Sequence, residues 1–154
     1  MSSDRDLIID TTTRVAWYAD QRRWDDIPGL FAEKVILDYT SLTGGEPATV
    51  TPAEIAGSWK TSLENLDATQ HLVSNYLVEL DEDGTRAIAT AQFFATHLLA
   101  NHQGGPTWTL GGHYRWTLHR VDHTWKIDSM TMTATWASGN QQIMTLAAER
   151  HRQT

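Results

Sequence analysis

The sequence predicts one α+β domain: helices in the first half close a curved antiparallel sheet built from the second half. Two observations carry this. Apolar residues in the first half recur at helical spacing, whereas the second half is a series of long β-branched and aromatic runs split by tight turn signals. Helices first and strands after is the order of an α+β fold, because a parallel α/β sheet needs the two to alternate.

The helical half begins with Ser3 and Asp6, which form a capping box pattern, and the spacing predicts a helix from there to about Arg23. Ile9, Thr13, Ala16, Trp17, Asp20 and Trp24 share one of its faces. A second short helix is expected over 25–31, with Pro28 tolerated near its start, then a strand over 34–39. Residues 40–50 contain Gly44 and Gly45 and read as a loop. Thr51, Pro52 and Glu54 stand as N-cap, first turn and third helical position, so a helix runs on to about Leu63.

The strand half comprises runs at 69–80, 86–99, 108–121 and 124–137. Asp81 to Gly84, residues 101–106 and Asp122-His123 separate them as hairpin turns, which makes an antiparallel meander. Alternation orients each strand. Trp108, Leu110, Gly112, Tyr114, Trp116 and Leu118 point inward, and the intervening residues, His113 and His119 among them, point out. The inward face of the preceding strand reads Ala87, Ala89, Ala91, Phe93, Ala95, His97, Leu99; its alanines leave the room a pocket wall needs. In the last strand Trp125 and Ile127 face inward, then Met130 and Met132 do, which places a β-bulge near Asp128 and Ser129. Residues 140–151 are expected to form a short helix.

The totals set limits on function. The chain has 154 residues, 40% of them hydrophobic and 20% charged, with a formal charge of −7 and a pI near 5.4. That length suits a single domain spanning 1–154. An acidic chain without a basic run is not built for nucleic acid, since phosphate neutralisation needs clustered Lys and Arg. No apolar run approaches the roughly 18 residues of a membrane span, and the polar start MSSDRDLIID has no signal-peptide core. The absence of cysteine excludes disulfides and thiolate chemistry, and fits a cytoplasmic setting. Seven tryptophans point to an aromatic-lined interior.

Three residues form the candidate chemical core. Asp20 lies on an apolar helix face, where a carboxylate must be hydrogen-bonded or paired. His71 begins one long strand and His97 ends the next, so the hairpin between them brings both to the same end of the sheet. Asp beside His fixes the tautomer of an imidazole and raises its basicity. A structural acid and two satisfied core histidines are the alternative. Tyr39 can donate to a substrate oxygen, and Asn75 and Tyr114 are further candidates of that kind. Trp17, Trp59, Phe93 and Trp116 are expected to shape the pocket. His102, His113, His119, His123 and His151 read as surface residues. No phosphate-binding glycine motif, Gly-x-Ser-x-Gly or His-Glu-x-x-His occurs. One Asp with two His is the ligand set of a non-haem iron triad, but the close His-x-Asp/Glu pair is missing at His71 and His97, so no metal or other cofactor is expected.

The segments WYADQRRWDDIPGLFAEKVILDYTS, TQHLVSN, FFATH and DHTWKIDSMTMTATW, in this order, resemble the nuclear-transport-factor-2-like superfamily. Within it the chain is similar to the SnoaL-like and scytalone dehydratase branch. The resemblance implies a cystatin-like α+β cone. It matches Asp20, His71 and His97 to the catalytic aspartate and histidines of scytalone dehydratase, and Tyr39 to a tyrosine that holds the substrate carbonyl through water. Ala19 replaces a second such tyrosine, and Gly112 and Tyr114 replace an active-site serine and asparagine. The expectation is therefore cofactor-free acid–base dehydration of a small hydrophobic carbonyl compound, cyclic or polyketide-like, with His71 or His97 returning the proton. Isomerisation or cyclisation by the same Asp–His pair, or binding without catalysis, are the alternatives. The Trp- and His-bearing outer sheet, together with the resemblance, suggests a homo-oligomer, a dimer or trimer.

Overall fold

The computed structural model describes residues 1–153, with side chains to residue 150, so the His151 side chain lies outside the described residues. Helix α1 spans Asp4–Asp20, and its Ser3–Asp6 capping box forms as expected. It is followed by two 3₁₀ turns, Trp24–Asp26 and Pro28–Leu30, where one short helix was expected. Strand β1 is Phe31–Asp38, starting earlier than its apolar pattern suggests. The expected loop holds a single helical turn, α2 (Thr40–Thr43), and a short strand, β2 (Ala48–Val50). Helix α3 covers Pro52–Leu63 under a complete Thr51–Glu54 capping box. Strands β3 (Ala68–Leu80), β4 (Arg86–Leu98), β5 (Thr107–Val121) and β6 (Thr124–Gly139) form the meander, and α4 (Gln142–Gln153) follows.

The six strands form one curved sheet in the order β2-β1-β6-β5-β4-β3. The sheet is mixed, because β1 runs parallel to β6 while all other pairs are antiparallel. A parallel neighbour needs a long crossover, and here α3 and the meander lie between the two strands. Its inner face is the core: the alanine row of β4 and the even positions Trp108, Leu110, Tyr114, Trp116 and Leu118 of β5 are all buried.

Bulges give the sheet its curvature, since each inserts one unpaired residue and bends its strand. In β6, Ile127 pairs with Leu118 and Ser129 with Thr117, so Asp128 is the extra residue, where the parity break predicts it. A second extra residue, Thr135, lies opposite Gly111 and Gly112. A third lies in β3, between Ser74 and Leu77, and coincides with Asn75 at φ 59°. It switches the inward parity of β3 from Thr69, His71 and Val73 to Tyr76 and Val78.

Two of the predicted site residues lie elsewhere than expected. Helix α1 buries Ile8, Thr12, Val15 and Ala19, a face rotated by about one residue from the predicted one, so Trp17 is 58% exposed. The close-packing small and β-branched residues face the sheet, and the large ring is left outside. Asn75 occupies the left-handed conformation that asparagine tolerates better than most residues, and its amide donates to Gln92 on the outer face.

Candidate active site

The site is built on three strands and the end of α1. Asp20 is the last residue of that helix, and β3 passes beside it. Its carboxylate accepts three hydrogen bonds: from Thr69 Oγ1 at 2.9 Å, from the His71 backbone N–H at 2.7 Å, and from His71 Nδ1 at 2.7 Å. A carboxylate is an acceptor only, so Nδ1 carries the ring hydrogen and Nε2 is left with a lone pair. The Asp20 and His71 side chains are 13% and 15% exposed, dry enough to strengthen the contact.

His97 comes from β4 and is 4% exposed. Its ring lies edge-on to that of His71 at 5.7 Å. Its Nδ1 is 3.1 Å from the Trp108 carbonyl, its register partner on β5. A carbonyl has no hydrogen to give, so Nδ1 is the donor. Burial, and next the neighbouring His71, pull the His97 imidazole down to about 4. His97 is neutral at ordinary pH.

These histidines line a cavity of about 340 Å³ between the sheet and the helices. Its walls are mostly apolar, with Trp59, Phe93, Trp108, Trp116, Met132 and Met144 among them. None of the lining residues is Lys or Arg. Volume and lining fit a small uncharged organic molecule.

The wall away from the histidines carries phenols. Tyr39 follows Asp38, which pairs with Thr131, and Tyr114 pairs with Met132, so the two tyrosines stand on one row of the sheet with β6 between them. Neither hydroxyl has a hydrogen-bond partner among the described residues, although Tyr39 is only partly shielded as a residue and Tyr114 is buried. Burial pushes both phenols up, and for Tyr114 the nearby Tyr39, Asp20 and Tyr76 add to it. Both remain donors over the whole physiological range. Tyr76, by contrast, is occupied by Thr12 and Thr13.

Of the residues singled out from sequence, Tyr39, Trp59, His71, Phe93, His97, Tyr114 and Trp116 line this cavity, with Asp20 behind His71. Trp17 and Asn75 do not: one is exposed on α1, the other turned outward by its bulge. Sequence reasoning missed Trp108 as the partner of His97, although its inward parity on β5 was readable. It also missed Met144, brought in by α4, for which no local signal exists. Gly112 is explained by the Thr135 bulge, since a Cβ there would lie 1.9 Å from the Thr133 carbonyl oxygen. Among the described residues no group of three His, Asp or Glu side chains is arranged to hold a metal ion. No helix among them is long and apolar enough to cross a membrane.

Comparison with known proteins agrees with this architecture. No curated protein matches the chain significantly. Among solved structures, the Kfla4162 protein of Kribbella flavida is 26% identical, with a TM-score of 0.83 over 95% of this chain and 97% of that one. A candidate scytalone dehydratase of Novosphingobium aromaticivorans is 20% identical, with a TM-score of 0.73 over 88% of this chain and 86% of its own. A hexachlorocyclohexane dehydrochlorinase, LinA-type3 of Novosphingobium barchaimii, is 12% identical, with a TM-score of 0.72 over 89% and 90%. The last two show the shared cone fold alone. The SnoaL-like domain model matches residues 1–131, and the chain therefore belongs to the SnoaL-like domain family.

Proposed function

We propose that this protein is an acid–base lyase that dehydrates a small, neutral, hydrophobic carbonyl compound without a cofactor. The observation that carries the reading is the Asp20–His71 pair at the wall of an uncharged cavity whose other side presents two unpartnered phenols. Two fold relatives bear names that denote eliminations, a dehydratase and a dehydrochlorinase. Elimination begins with a base, and His71 Nε2 is the base this geometry supplies.

In the proposed reaction His71 Nε2 removes the proton α to the carbonyl, and the C–H electron pair moves into the enolate. Tyr39 and Tyr114 donate to the enolate oxygen, where negative charge develops. Asp20 stabilises the imidazolium that forms. The enolate then expels the β-hydroxyl, which takes the proton from His71, so the products are an enone and water. His71 serves as acid as well as base, because neutral His97 has its one ring hydrogen committed to the Trp108 carbonyl.

The test is turnover of a panel of β-hydroxy cyclic ketones, read as the growth of enone absorbance. Wild-type protein should convert at least one member. His71→Ala should abolish that conversion and Asp20→Asn should lower it by about 10²-fold or more, while the circular dichroism spectrum shows that both variants still fold. Activity that survives both substitutions would sink the proposal.

A further inference from the structure

His97 is the polar group in the cavity with the most constrained chemistry. Its Nδ1 is tied to the Trp108 carbonyl oxygen at 3.1 Å, in the register that holds β4 to β5. The β4–β5 pairing holds that carbonyl in place beside the ring. An imidazole with hydrogen on Nδ1 carries a lone pair on Nε2. That nitrogen has no hydrogen-bond partner among the described residues, and the ring lines the cavity. The neighbouring polar atoms give no relief. His71 stands edge-on at 5.7 Å and commits its own Nδ1 to Asp20. The Trp108 ring lies against that of His97 at 5.1 Å, and its indole makes no hydrogen bond to the imidazole among the described residues.

An unpartnered acceptor in an apolar cavity is costly unless water or a ligand satisfies it. Water is displaced when a hydrophobic ligand fills the space. The ligand must then bring a donor of its own, or leave the nitrogen desolvated and bare. A protonated His97 would ask for the opposite, an acceptor, but burial and the adjacent His71 keep it neutral.

We infer that His97 is a fixed hydrogen-bond acceptor that selects ligands bearing a hydroxyl group at the histidine end of the cavity. It is a specificity residue and not a proton donor. The inference rests on the proposed reaction only for the identity of the hydroxyl, which there is the group that departs. The acceptor role itself concerns binding, and it can be tested without turnover.

The probes are 2-naphthol and its methyl ether, which share a ring system and differ in the one hydrogen. Binding is measured by equilibrium dialysis against the wild-type, His97→Leu, His97→Asn and His71→Ala proteins. Wild type should bind 2-naphthol about tenfold more tightly than the ether, the loss expected when a buried acceptor goes unpaired. His97→Leu should bring the ratio close to one. His97→Asn, which offers an amide oxygen, should restore part of it, and His71→Ala should keep it. The ratio should also hold steady from pH 8 to pH 5.5. Asp20 and His71, the titratable groups facing His97, act on both probes alike and cancel in the ratio.

A wild-type ratio near one would overturn the inference, as would a tenfold ratio that persists in His97→Leu, which would give the acceptor role to His71. A second measurement needs no variant. Nitrogen-15 spectra of histidine-labelled wild-type protein should show one imidazole locked with hydrogen on Nδ1 and unchanged down to pH 5.5. An Nε2-protonated or titrating His97 would refute it. A preference that holds while His71→Ala stays fully active would leave the acceptor intact and remove only the proposed reaction.

Discussion

Asp20 grips His71 twice: one carboxylate oxygen accepts from the ring Nδ1 and the other from the backbone N–H of the same residue, each at 2.7 Å. The two contacts fix both where the strand runs and how the imidazole is turned. Thr69, two residues earlier on the same face of β3, donates a third bond.

Asp20→Asn should therefore do more than remove a charge. An amide presents one acceptor and one donor, so the backbone N–H or the ring Nδ1–H loses its partner and the imidazole is free to flip. Turnover should fall by about 10²–10⁴-fold. Stability should fall by about 1–3 kcal/mol, the usual cost of an unsatisfied buried group. Steady-state kinetics and thermal melts check the two parts separately.

The phenol row gives a second expectation. Tyr39→Phe and Tyr114→Phe should each lower kcat, by up to about 10²-fold if the lost donor met the enolate. The double variant should fall short of the product of the two, because either phenol can partly serve the same oxygen. Burial raises both hydroxyls above the ordinary tyrosine value. A pH–rate profile should consequently show no loss from phenol ionisation between pH 8 and pH 10.

His97 gives a pH dependence of stability with a definite sign. In the unfolded chain it takes up a proton near 6.5, whereas in the folded chain it stays neutral down to about 4. Between these values the unfolded state binds more protons. The contribution of His97 is thus complete above pH 6.5 and is lost as pH falls toward 4, by about 3 kcal/mol in all. Urea titrations of wild type and His97→Leu across pH 4–8 should show a shallower acid slope for the variant.

The bulges make a fourth. Gly112→Ser, which restores the serine expected by resemblance, should destabilise the fold by about 2 kcal/mol or more, since its Cβ would collide with the Thr133 carbonyl oxygen. Asn75→Gly should be nearly silent in ligand binding and stability, because glycine accepts the positive φ and the side chain lies outside the cavity. Asn75→Val should cost about 1–3 kcal/mol through backbone strain. Denaturation midpoints decide both.

Much of this structure was readable from local chemistry. The Ser3–Asp6 and Thr51–Glu54 boxes start their helices where the residues say, because a cap is satisfied within one turn. The inward rows of β4 and β5 follow from strict alternation, and the Asp128 bulge from its interruption. The same signal is present in β3, where inward positions pass from His71 and Val73 to Tyr76 and Val78, but a polar Asn75 equally suits a donor to substrate, and only the strand register sets it outside.

What alternation and capping settle is which residue types face inward along each element, because both act over a few residues. Alternation set the two inward histidines and the alanine-lined wall, helical spacing added Asp20, and composition alone excluded a basic run. Three things depended on contacts between distant segments. The parallel seam between β1 and β6 put Tyr39 beside Met132 and so on the row of Tyr114. The packing of α1 turned Trp17 outward by a rotation its own periodicity did not specify. The register of β4 on β5 gave His97 the Trp108 carbonyl and thereby its tautomer. Each reflects a balance of packing over the whole sheet, where one residue of slip or rotation changes every contact without changing any local preference.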